Sequence, residues 1–202
     1  FITLEGIEGA GKSTVAAAIA TALRARGITV IATREPGGTP LAERLREVVL
    51  QRGAETLSPQ AETLLMFAAR AVHVDNLIRP ALARGAWVIC DRFVDSSRAY
   101  QGGAGGLSDA DILALHRVGS GGLLPDRTLL LELSVEEGAR RAEARSATAD
   151  RMGAKDRDYY LRVADRFRTM ATEDPDRFRV IDAAGSPSDV STRIMSALGD
   201  LL

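Results

Sequence analysis

Apolar residues along the chain fall into two rhythms. Short, nearly continuous apolar runs occupy residues 1–5 (FITLE), 28–33 (ITVIAT), 87–91 (WVICD), 127–133 (RTLLLEL) and 178–182 (FRVID). Runs of this length, rich in β-branched and aliphatic side chains, read as strands buried on both faces. Longer stretches with helical spacing lie between them. Residues 12–26 are alanine-rich and stop at Gly27, and 41–51 have helical periodicity. Residues 59–84 support one long helix or two, with Leu64, Leu65, Phe67, Ala68, Ala71 and Val72 on the apolar side and Pro80 as the expected kink. Ser108 is placed to cap a helix reaching about Val118, with Asp109 and Asp111 in its first turn. Three more helices are predicted over 135–144, 156–172 and 188–202. Residues 92–106 read only as a polar, glycine-rich stretch, and 145–155 as an exposed loop.

Strands alternating with helices predict an α/β fold, with five parallel strands flanked by helices on both faces. At 202 residues the chain is expected to form one domain over 1–202, without internal repeat or linker. Ligands in such sheets bind beyond the carboxyl ends of the strands. That directs attention to Glu5, Arg34, Asp91 and Glu132.

Composition narrows the chemistry. A net charge of −1 leaves no general basic surface for nucleic acid or anionic membrane. Cys90 is the single cysteine and His73 and His116 are the only histidines, which excludes an intrachain disulfide and a Cys/His zinc cluster. Cys90 itself reads as a small buried hydrophobe. The longest apolar runs, such as 86–90, fall far short of the roughly 20 residues of a membrane span. No signal-peptide pattern opens the chain, so a cytoplasmic address is expected. The first residue is Phe1 rather than methionine, and a short preceding segment is expected. Lysine occurs only at Lys12 and Lys155; every other cation is an arginine.

Lys12 stands in Gly6-Ile7-Glu8-Gly9-Ala10-Gly11-Lys12-Ser13, which fits G-x-x-x-x-G-K-[ST] with a strand before and a helix after. Glycines let backbone amides converge on phosphate oxygens, and the helix N-terminus adds partial positive charge. Lys12 is placed to reach the β- and γ-phosphates of a nucleoside triphosphate, and the Ser13 hydroxyl to ligate Mg²⁺. Asp91, ending an apolar strand, suits a carboxylate that holds the metal ion or its water shell; capping of the following turn is the alternative reading. The guanine signature N-K-x-D of GTPases is absent.

Further segments narrow the second substrate. Thr33-Arg34-Glu35-Pro36-Gly37-Gly38-Thr39 follows the second strand. Phe67-Ala68-Ala69-Arg70 puts a ring and a guanidinium three positions apart on one helical face. Asp91-Arg92-Phe93 and Ser96-Ser97-Arg98-Ala99-Tyr100-Gln101-Gly102-Gly103 follow the third strand. Together these motifs closely resemble those of the thymidylate kinases, within the nucleoside monophosphate kinase superfamily, essentially from end to end. The resemblance implies a P-loop NTPase fold with a mobile lid at about 145–155, transfer of the γ-phosphate of ATP to dTMP, Mg²⁺ as cofactor, and a homodimer formed through helices around 41–84 and 108–118. Neither nucleic acid nor membrane is implied as a partner.

Site roles follow from the resemblance residue by residue. ATP falls to Gly6, Glu8, Gly9, Ala10, Gly11, Lys12, Ser13 and Thr14, with Arg141 packing on adenine. Phe67 is expected to stack on thymine and Arg70 to bond its carbonyl edge; a flat apolar ring and a rigid donor suit a pyrimidine. Glu8 falls near the deoxyribose 3′-hydroxyl, Tyr100 against C2′, and Ser97 and Gln101 near the base. Glu35 and Pro36 belong to a loop beside the acceptor. Arg92 matches the arginine on the acceptor phosphate, where bidentate contact is favoured. Arg46 is expected on a solvated helix face. Gly9 stands where one group of these enzymes has a basic residue, so the resemblance is to the bacterial-type group, in which lid arginines supply charge. Arg145 and Arg151 are the candidates, with Arg151 the better match. Gly153 stands where the family often has a glutamate.

Two other readings remain. The acceptor could be another nucleoside monophosphate or a small metabolite, whose alcohol would need a general base. A non-enzymatic, nucleotide-dependent regulatory or assembly module is the third, against which the lid arginines argue.

Overall fold

The computed structural model describes residues 1–50, 57–145 and 156–202. Strands β1 (Ile2–Glu5), β2 (Val30–Arg34), β3 (Trp87–Asp91), β4 (Arg127–Glu132) and β5 (Phe178–Asp182) form one parallel sheet in the order β2-β3-β1-β4-β5. β1 lies at its centre, with Thr3 in register with Cys90 on one side and Thr128 on the other. Four of five strands match the predicted positions within a residue. β2 starts two residues later, because the amide of Ile28 closes the preceding helix by donating to Leu23 O (3.2 Å) beyond the left-handed Gly27.

The helices are α1 (Lys12–Ala25), α2 (Pro40–Leu50), α3 (Pro59–His73), α4 (Arg79–Ala83), α5 (Val94–Ser97), α6 (Asp109–Ser120), α7 (Val135–Arg145), α8 (Arg157–Glu173) and α9 (Pro187–Ala197). α3 and α4 are joined through a wide π turn, Val74–Ile78, which precedes Pro80. The face of α3 turned inward carries Thr63, Phe67, Arg70 and His73, while Leu64 and Ala68 are exposed, a different face from the expected apolar one. Within residues 92–106, which read only as polar and glycine-rich, Val94–Ala104 is helical. α5 runs into a second π segment, Arg98–Ala104, and most of both is buried. Their polar side chains face inward partners: Asp95 pairs with Arg177 and Arg98, and Ser97 with Arg70. α9 ends at Ala197 and a short 3₁₀ turn follows, so the predicted closing helix is shorter than expected.

Two apolar clusters flank the sheet, and β3 shows the alternation between them. Ile89 points into the cluster containing Ile19, Leu23, Leu129 and Ile194, while Val88 and Cys90 point into the cluster of Phe1, Val74, Ile78 and Phe93. With both faces covered, the carboxyl edge is where the sheet meets solvent and ligands. None of the described helices is long and apolar enough to cross a membrane.

Candidate active site

β1 pairs with β3 on one side and β4 on the other, so the crevice at its carboxyl end is the natural binding position. The loop leaving β1 enters α1 through three glycines with positive φ: Gly6 (135°), Gly9 (78°) and Gly11 (88°). At Gly9 a Cβ would lie 2.1 Å from Gly138 O, so packing as well as φ demands glycine. Lys12 is buried, its Nζ donating to Gly6 O (3.1 Å) and Ile7 O (2.8 Å). Burial, followed by the nearby charge of Arg92, lowers its pKa from 10.5 to about 7. Ser13 Oγ donates to Asp91 Oδ2 (2.6 Å). A hydroxyl and a carboxylate beside a phosphate cradle are the hard oxygens that Mg²⁺ prefers, so these two residues fit the metal expected there. Among the described residues no cluster of three His, Cys, Asp or Glu competes for it.

A cavity of about 210 Å³ opens from this loop. Glu8, Gly9, Gly11, Lys12 and Ser13 line one side, and Arg34, Glu35 and Pro36 a second. Asp91, Arg92, Ser96, Tyr100 and Gln101 also line it, as do Arg46, Leu50, Met66 and Tyr160. Arg92 is the one non-glycine residue with positive φ (71°) among those described. Such a backbone is strained and persists only where contacts enforce it. Its amide donates to Leu4 O (2.9 Å), Nη1 to Gly6 O (3.2 Å) and Ser96 Oγ (3.1 Å), and Nη2 to Tyr100 Oη (3.3 Å). The guanidinium lies 4.8 Å from the Tyr100 ring centroid.

Beneath the cavity Arg70 is 2% exposed. Its Nε donates to Glu35 Oε2 (2.6 Å), and Nη2 to Phe93 O (3.1 Å) and Ser97 Oγ (3.0 Å). The guanidinium stands 4.6 Å from the ring centroid of Phe67, which is also buried. Nη1 of Arg70 and Oε1 of Gln101 are buried without a hydrogen-bond partner among the described residues. An orphaned donor and acceptor invite a ligand that supplies both complements. Burial would raise the Glu35 carboxyl, but the charge of Arg70 and the hydrogen bond from His73 outweigh it and hold its pKa below 4.5.

The predicted residues thus occupy different shells of one site. Glu8, Gly9, Gly11, Lys12, Ser13, Glu35, Pro36, Asp91, Arg92, Tyr100 and Gln101 line the cavity. Phe67, Arg70 and Ser97 lie behind its wall, with Ser97 reaching Arg70. Gly6 and Ala10 contribute backbone to the loop; Thr14 is exposed on α1. Arg141 donates to Glu137 Oε1 (2.7 Å) and Ala183 O (3.2 Å), at the end of β5. Arg145 ends α7, and Arg151, Gly153 and the rest of the lid segment at 146–155 lie outside the described residues. Arg46 departs from its expected solvated face: Nη1 donates to Pro36 O (2.8 Å), and the residue lines the cavity.

Glu5 was visible only as a strand-end carboxylate. It is fully buried, accepting from Phe93 N (2.8 Å) and Ser96 Oγ (2.5 Å). Burial, then the charge of Asp95, raises its pKa to about 8. Ser96 thereby links Glu5 to Arg92. Tyr160, Met66 and Leu50 reach the cavity from separate helices, and no local motif marks them.

A five-stranded parallel sheet with a lysine-bearing phosphate loop at its central strand, opening onto a cavity with a second cationic group, defines a P-loop NTPase of the kinase type. Comparison with known proteins narrows the class. The family model described as thymidylate kinase matches residues 4–194, and the chain belongs to that family. A thymidylate kinase of Rhizorhabdus wittichii is 55% identical over 203 residues, covering 100% of this chain and 98% of its own length. One of Pseudomonas fluorescens is 52% identical over 202 residues, covering 100% and 96%. The crystal structure of thymidylate kinase from Ehrlichia chaffeensis superimposes with a TM-score of 0.81 at 32% identity, covering 98% of this chain and 97% of that one.

Proposed function

We infer that this chain is a single P-loop kinase domain that transfers the γ-phosphate of ATP to dTMP, giving ADP and dTDP. The observation that carries the reading is the layout of one cavity. Lys12, Ser13, Arg92 and Gln101 line it together, and Arg70 lies behind its wall; Nη1 of Arg70 and Oε1 of Gln101 are buried without a partner among the described residues. A donor for a carbonyl and an acceptor for an imide N–H complement the edge of thymine.

The chemistry asks for charge neutralisation and alignment rather than a base. The acceptor phosphate, with a second pKa of about 6, is already an anionic nucleophile at neutral pH. Arg92 would orient it by two parallel N–H donors. Lys12 exchanges its loop carbonyls for the phosphates of ATP. Ser13 and Asp91 would hold Mg²⁺, whose charge would neutralise that of the phosphates. Arg145 and Arg151 bring further charge from the lid segment, and Arg141 packs on adenine. Glu8 and Tyr100 face the deoxyribose, Phe67 the thymine ring, with Ser97 holding Arg70.

The exposed apolar side chains Leu41 and Val48 on α2, Leu64 on α3 and Val118 on α6 support a homodimer through these helices. A cytoplasmic address accords with a small-molecule kinase. A coupled assay offering dTMP, dUMP, dCMP, dAMP and dGMP with ATP tests the assignment. Turnover should be highest with dTMP. Preference for another monophosphate, or ATP binding without turnover of any acceptor, would overturn it.

A further inference from the structure

His73 is a buried titratable group that the mechanism above leaves without a task. It ends α3 with its ring wholly buried. Nδ1 lies 2.9 Å from Glu35 Oε1, and Nε2 lies 2.7 Å from Thr33 Oγ1. Glu35 is ionised and only accepts, so Nδ1 carries the proton that lies between them. In the neutral ring Nε2 then accepts from the Thr33 hydroxyl. The loop after β2 closes tightly over this pair. A Cβ on Gly38 would fall 2.5 Å from both His73 Nε2 and Thr33 Oγ1.

We propose that His73 is a positioning residue for base recognition: it fixes Glu35 so that Arg70 keeps Nη1 free for the nucleotide. This rests on the reading of Arg70 as the group that bonds the base. Glu35 has two oxygens, one on His73 and one on Arg70 Nε. Without His73, Oε1 would be a buried, unpaired carboxylate oxygen. The nearest remedy is a forked pairing in which both oxygens take N–H groups of Arg70. That arrangement draws Nη2 away from Phe93 O and Ser97 Oγ, and the rotation turns Nη1 away from its present direction. By occupying Oε1, His73 denies Glu35 that alternative.

The test compares two amide substitutions of similar size. His73→Asn keeps an N–H near the Nδ1 position and hence the Glu35 contact. His73→Gln reaches toward Thr33 and loses it. We expect His73→Gln to raise KM for dTMP about tenfold, the usual worth of a hydrogen bond to a charged group, with KM for ATP and kcat changed by no more than about twofold. His73→Asn should restore most of the loss. In an Arg70→Ala background His73→Gln should add nothing further. Nitrogen NMR of the unmodified protein, with only two histidines to assign, should find the His73 proton on Nδ1. Equal effects of Asn and Gln, matched losses for both nucleotides, additivity with Arg70→Ala, or a proton on Nε2 with none on Nδ1 would overturn the proposal. If Arg70→Ala itself leaves KM for dTMP unchanged, the base-site reading fails, and the role of His73 with it.

Discussion

Replacing Lys12 by methionine separates the electrostatic strain of the phosphate loop from its contacts. The ammonium is buried, and its pKa falls from 10.5 to about 7 on folding. Between these values the unfolded chain holds a proton that the native protein has released. Stability of the unmodified protein should therefore rise with pH across this window. For one group with these two pKa values, the gain between pH 8 and pH 10 is about 2–3 kcal/mol. The methionine variant lacks this contribution. It also loses the hydrogen bonds to Gly6 O and Ile7 O, a cost that does not depend on pH. The stability difference between the two proteins should thus shift by about 2–3 kcal/mol in favour of the unmodified one as pH rises from 8 to 10. Urea denaturation at several pH values measures it directly. ATP binding gives a second readout, because phosphate charge restores the ammonium. At pH 8 binding should take up nearly one proton, seen by calorimetry in buffers of different ionisation enthalpy, and the variant should take up none. Parallel pH profiles for the two proteins, or proton uptake surviving in the variant, would refute the reasoning.

Glu5 carries the opposite sign: its pKa rises from 4.5 to about 8, so the native protein keeps a proton that the unfolded chain loses and stability falls as pH climbs through that window. Glu5→Gln should abolish this decline in denaturation midpoints measured between pH 5 and 8; an unchanged slope would clear Glu5 of the effect. Asp91→Asn should raise the Mg²⁺ concentration for half-maximal activity about tenfold or more while sparing metal-free nucleotide binding, and an unaltered Mg²⁺ titration would remove Asp91 from the metal site. Arg151→Ala should lower kcat by about 10²–10⁴ with little change in ATP affinity, which single-turnover kinetics would resolve; loss confined to affinity would argue against a role in transfer.

Much of this protein was legible without coordinates because its signals are local. Strand periodicity and the glycine-rich loop each lie within a few residues, so their spacing implies an α/β sheet and a phosphate end of the site, while TREPGGT and DRF gain meaning through the family resemblance. Within single elements, too, caps such as Ser108 follow from neighbouring residues, and the structure bears them out with Ser108 Oγ accepting from Asp111 N at 3.1 Å. What tertiary structure decided is how distant polar groups pair. Residues 92–106 read as merely polar and glycine-rich, yet Val94–Ala104 within them is helical and mostly buried, its polar groups satisfied by Glu5, Arg70 and Arg177 from three other parts of the chain. Arg46 reads as a surface cation until the loop after β2 turns Pro36 O toward it. His73 carries no motif, and its task emerges only when β2 brings Thr33 and Glu35 to opposite nitrogens of one ring. A sequence records the apolar rhythm because burial acts on each residue separately; a hydrogen-bond network needs two partners, and only folding decides which two meet.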